Sequence, residues 1–130
     1  MGTAGGPKLV TKGLALALDT ASPKSYPGSG NVLFDLSGNL DGEIYGSPSF
    51  TSNDHGTFDF DGSNDYVGDF ADEAIDLIQG QTNFSLGVWF KMDALASLRG
   101  LIGTLNYGCT KNLGLVADNT SLRFYNDTTT

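Results

Sequence analysis

The feature that most restricts this chain is a period of two. In "LVTKGLALALD" Leu14, Leu16 and Leu18 fall on one side and Ala15 and Ala17 on the other. In "NFSLGVWFKM" Phe84, Leu86, Val88 and Phe90 alternate with Ser85, Gly87, Trp89 and Lys91. Side chains repeat every second residue only on extended backbone, so both stretches predict strands with one strongly apolar face. Shorter apolar pieces follow the same logic: "VLFDL" at 32–36, "GEIYG" at 42–46, then "GLIGTLNYG", "NLGLVAD" and "SLRFYND". Eighteen glycines separate them. Many short strands between turn residues predict an antiparallel all-β domain, a sandwich or a jelly roll. One short helix is expected over 70–79. There Asp69 can cap, Asp72 and Glu73 sit in the first turn, and Gly80 stands just past the end.

A chain of 130 residues is long enough for one domain with its own core and short for two. Residues 1–8 read as a flexible glycine-rich arm, 9–125 as the domain, and 126–130 as a polar tail or a truncation point. The fourteen aromatic residues are spread along the chain, which argues for a packed fold over disorder. A formal charge of -8 repels phosphates, so a nucleic-acid partner is not expected. The first residues lack the apolar core of an export signal, and no apolar run approaches the roughly 18 residues a membrane helix needs. No membrane partner is expected, and the sequons at Asn83, Asn119 and Asn126 are expected to stay unmodified.

The acidic stretch "TFDFDGSNDYVGDF", Thr57 to Phe70, invites three readings. As a turn, Asp-Gly-Ser-Asn lies between two aromatic arms, Phe58/Phe60 and Tyr66/Val67, which is a hairpin signal. Asp and Asn side chains cap such turns by accepting backbone amides, and Gly62 supplies a positive φ. As a metal site, Asp59, Asp61, Asn64 and Asp65 are the candidate calcium ligands. They do not follow EF-hand spacing, because Gly comes at the fourth position and Phe70 stands at the twelfth. As a catalytic site it lacks the constellation. Glycoside hydrolysis needs two carboxylates about 5–5.5 Å or about 6.5–9.5 Å apart. Glu43 and Glu73 are the only glutamates and are far apart in sequence, while Asp59 and Asp61 share a face but abut a turn. The expectation is therefore that the chain is not an enzyme.

Cys109 is the only cysteine, so no internal disulfide forms, and it reads as a small strand residue. The only histidine, His55, lies in the polar run "TSNDHGT" and reads as loop surface. Sugar rings stack on aromatic faces, and Trp89, Tyr66, Tyr107 and Tyr125 are available for that. Trp89 faces away from Val88 and Phe90, and packing on a sheet is the role expected of it.

The blocks "LVTKGLALALDTASPKSYPGSGNVLFDLSGN", "FDFDGSNDYV" and "NFSLGVWFKM" together resemble concanavalin A-like lectin/glucanase domains of the laminin-G-like type. The matching positions are Asp19, Pro23 to Gly30, Asp35 to Asn39, Phe60 to Val67 and Val88 to Lys91. "GNLDGEIYG" departs from that pattern, which more often carries a second Asn/Gly-rich run there. The resemblance implies a two-sheet antiparallel jelly-roll sandwich, incomplete at its C-terminal end because such domains run longer. Open sheet edges would then pair with other subunits or with copies of the chain. The wording of the loops is similar to that of tailed-bacteriophage virion proteins. It implies a non-enzymatic structural or adhesive domain on the virion exterior, in a capsid fibre, decoration protein or tail fibre, that contacts host-surface carbohydrate. A secreted or surface carbohydrate-binding module of a bacterium is the alternative, and a glycoside hydrolase ranks third. No cofactor other than calcium is implied.

Overall fold

The computed structural model describes residues 10–38, 40–70, 81–93, 99–103, 113–118 and 120–126. The chain divides into two compact units, Met1–Gln79 and Gly80–Thr130. The described residues form antiparallel β-structure with a single 3-10 turn, so the all-β expectation holds.

In the first unit, β1 (Val32–Leu33) pairs with β2 (Gly42–Tyr45), and β2 pairs on its other edge with β5 (Tyr66–Gly68). A separate two-stranded sheet joins β3 (Ser49–Thr51) to β4 (Thr57–Asp59) around the 3-10 turn Asn53–His55. Phe50 and Phe58 stand directly opposite each other across it. Tyr26 packs on both, with ring centroids 4.8 Å away in each case. Edge-to-face rings of this kind contribute about 0.5–1.5 kcal/mol per pair beyond burial. Leu33 and Leu40 are the other buried apolar side chains described in this unit. The middle strand β2 starts at a buried glycine for a steric reason. A Cβ on Gly42 would stand 2.6 Å from the Phe70 ring and 2.8 Å from Val67.

The hairpin expected at "TFDFDGSNDYVGDF" does not form. Its first arm, β4, pairs with β3, and its second, β5, pairs with β2. Residues 60–65 are a crossover from one sheet to another. The alternation identified two strands correctly but carries no information about which neighbour each one meets.

Two other expectations are corrected. Residues 14–19 are not in a β-ladder. They run beside 35–37, held by one backbone bond, Leu36 N to the Ala17 carbonyl at 2.8 Å. The Asp35 carboxylate accepts the Ala17 amide at 2.8 Å, in place of a neighbouring strand's carbonyl. The strand in "VLFDL" is limited to Val32–Leu33, because the Phe34 amide turns to the Ser25 carbonyl.

In the second unit, β6 (Arg99–Gly103), β7 (Leu113–Ala117) and β8 (Leu122–Asn126) form a sheet in that order. These match three of the strands expected from sequence. A bulge shifts the β6–β7 register between Gly100 and Ile102. Among the described residues the buried apolar side chains of this unit, Val116 and Ala117, lie on the central strand β7. Residues 83–92 form no ladder, contrary to their alternation. Phe84 instead lays its ring against Phe124, with centroids 6.4 Å apart. Trp89, expected to pack on a sheet, is fully exposed.

Apart from Phe70, the helix expected over 70–79 lies outside the described residues, as do Tyr107, Cys109 and the tail from 127. Among the described residues no helix is long and apolar enough to cross a membrane.

Candidate functional site

Three of the four calcium candidates meet at the crossover. Asp59 at the end of β4, Asp61 and Asp65 line a shallow concavity of about 260 Å³ with Gly46, Ser47 and Ser49. Asn64 is not part of that lining. The crossover explains the convergence, because it brings the end of β4 and the start of β5 beside the turn that leaves β2.

Within the turn, the carboxylates bind the turn's own backbone. Asp61 Oδ1 accepts the Ser63 amide at 2.7 Å and the Asn64 amide at 3.3 Å. Asp65 Oδ2 accepts the Asp61 amide at 2.9 Å. This is the Asx-turn chemistry that Asp favours, and Gly62 sits at φ 69 as such a turn requires. The neighbouring turn fits closely: a Cβ on Gly46 would stand 2.2 Å from Asp65 Oδ1 and 2.6 Å from the Asn64 carbonyl. Among the described residues no group of three or more His, Cys, Asp or Glu side chains is arranged to hold a metal ion. Twelve of the fifteen acidic residues but only three of the seven basic ones lie in residues 1–79, so an anionic ligand is disfavoured here.

The blocks that carry the family resemblance form a second cluster. Asp35, buried, accepts the amides of Ala17 and Ser37 through Oδ1 at 2.8 and 3.0 Å, and that of Leu40 through Oδ2 at 3.3 Å. The Ser37 hydroxyl also donates to it. Ser25, fully buried, donates to the Phe34 carbonyl at 2.5 Å and accepts the Asp19 amide at 3.1 Å. Asp41 Oδ1 accepts the Asp35 amide at 2.8 Å. Thus Ser25 ties "PKSYPGSG" to Asp19 and Phe34, and Asp35 ties "DLSGN" to Ala17 and Leu40, each satisfying loop backbone groups as burial demands.

Two sites were not singled out from sequence. On β2, the Tyr45 hydroxyl lies between the carboxylates of Asp69 and Glu43, 2.9 Å from Glu43 Oε2. A phenol has one hydrogen to donate. The bond to Asp69, then that to Glu43, pushes its ionisation well above the ordinary tyrosine range. Tyr66 stacks on Tyr45, with centroids 4.7 Å apart and planes 12° apart. Glu43 also accepts the Asn31 side-chain amide at 3.0 Å. The signal available in sequence was the i, i+2 pair Glu43/Tyr45 on one strand face.

In the second unit, Asp118 closes the β7–β8 hairpin. Its Oδ1 accepts the Thr120 amide at 2.8 Å and the Ser121 amide at 2.7 Å, and Arg123 reaches its Oδ2 at 2.6 Å. The Thr120 amide first, then the Thr120 hydroxyl, with the Ser121 donors adding to them, hold its carboxyl down at about 2. The string "DNTS" between two apolar runs was the readable sign.

Near that hairpin's unit lie the exposed apolar side chains Phe84, Leu86, Trp89, Phe90, Leu122 and Phe124. The Lys91–Asp93 pair at 3.6 Å is fully solvated and contributes little.

The chain matches no protein-family model, no curated protein and no solved structure.

Proposed function

We propose that the chain is a non-enzymatic structural or adhesive domain of a tailed-phage virion protein, built as a concanavalin A-like jelly roll. It would stand on the virion exterior in a fibre or decoration protein. One observation carries this reading: acids in the family-like blocks, Asp35 and Asp61, serve loop amides. Such acids act as scaffold for the fold, which leaves attachment to exposed apolar and aromatic side chains. Other virion subunits, copies of the chain at open sheet edges, and host-surface glycans are the partners this reading calls for. Mass spectrometry of purified particles tests the location. Absence of the chain from every particle preparation overturns it.

The alternative, a secreted or surface carbohydrate-binding module, draws on one specific observation. Trp89 is fully exposed and offers both ring faces, and sugar rings stack on such faces. A glycan array with the wild type and Trp89→Ala, with and without calcium, tests glycan attachment under either reading. Binding lost in the variant supports it, and no binding by the wild type removes it.

A further inference from the structure

We infer that the Asp61–Gly62 peptide is a site of spontaneous backbone rearrangement to isoaspartate. The chain contains two Asp-Gly peptides, Asp41–Gly42 and Asp61–Gly62, and the fold treats them differently. In this reaction the Gly amide nitrogen attacks Cγ of the preceding Asp. The N–Cγ bond forms, the nitrogen gives up its proton to solvent, and one carboxyl oxygen leaves as water. The product is a five-membered succinimide. Water then adds to either carbonyl of the ring. Addition at Cγ restores aspartate, whereas addition at the main-chain carbonyl carbon breaks its bond to nitrogen and leaves the chain running through the side chain. One water is lost and one regained, and no other reactant is needed.

Two features of the crossover favour the first step. Gly62 has no Cβ to obstruct the approach of its nitrogen. The residue pair lies outside the β-ladders, with Asp61 exposed. Asp61 Oδ1 accepts the Ser63 amide at 2.7 Å and the Asn64 amide at 3.3 Å, and these exposed bonds open before the Gly62 nitrogen reaches Cγ. Asp41–Gly42 lacks this arrangement. Gly42 is buried in β2 with Phe70 and Val67 against its Cα, and Asp41 Oδ1 accepts the Asp35 amide at 2.8 Å. The strand cannot rotate to bring that nitrogen onto Cγ. Conversion at Asp61 lengthens the crossover backbone by one carbon and removes the acceptor that holds Ser63 and Asn64, whatever surface the domain attaches to.

The test is ageing of the full chain at physiological temperature, folded and in concentrated urea. Peptide mass spectrometry with electron-transfer fragmentation, and labelling by an isoaspartyl methyltransferase, read the product. The folded chain is expected to gain isoaspartate at 61, with a transient species lighter by one water, and none at 41, while urea exposes both sites. Asp61→Glu should abolish the signal at 61, since a six-membered ring closes less readily. Protection of 61 in the folded chain to the level of 41 would overturn the inference.

Discussion

Tyr45 donates its hydroxyl hydrogen to Asp69 across the end of the β2–β5 pair, with Tyr66 stacked on its ring. Ionising that phenol would set a negative oxygen between two carboxylates. Its folded-state value is raised, so its contribution to stability is complete below the ordinary tyrosine value of about 10 and is lost as pH rises beyond it. Ultraviolet titration should show a tyrosine ionising late, and Tyr45→Phe should remove that late step. Unchanged titration in the variant would contradict the bond.

Asp118 behaves in the opposite sense. Its value is lowered from 3.8 to about 2, so its contribution is present above pH 3.8 and disappears as pH falls through about 2. Carboxyl chemical shifts followed by NMR should give a midpoint near that lower value. Asp118→Ala should return exchange protection of the β7–β8 hairpin amides to that of an open loop.

Asp35→Ala strands the amides of Ala17, Ser37 and Leu40 in one step. Hydrogen bonds to a charged group contribute about 1.5–3 kcal/mol each, and the loss here should reach about 3–5 kcal/mol. Urea unfolding of the variant measures it, and a loss below about 1 kcal/mol would mean that water replaces the carboxylate.

Gly46→Ala should destabilise the first unit by about 1–3 kcal/mol, because φ 85 and the adjacent Asp65 oxygen both exclude a Cβ. Asp61→Ala should lower the melting temperature equally in calcium and in chelator, since the carboxylate serves amides. A calcium-dependent rise in the wild type alone would instead restore a metal role to this turn.

The strands were more legible than their partners. β6, β7 and β8 are short apolar pieces between turn residues, and each appears where its composition places it. Leu14, Leu16 and Leu18 show a cleaner alternation yet lie outside any ladder, because side-chain period reports extended backbone and Asp35 takes the amide of Ala17. Asp61 was readable as a turn cap from its Gly and Asn neighbours. The Tyr45–Asp69 contact joins residues 24 apart, and pairing of that kind depends on strand order, which local pattern does not encode. Trp89 shows the same limit: its alternation set its side of the segment but not what, if anything, would cover it.

The crossover at 60–65 has a consequence for how the chain can be divided. β4 finds its partner before the loop, while β5 finds its partner, β2, on the far side of it. A backbone cut at Gly62 therefore severs no ladder. Among the described residues the two fragments are joined by the β2–β5 pairing, backed by Phe70 and Val67 beside Gly42. This acidic turn is thus a natural split point, where two pieces of this protein would recognise each other by strand complementation.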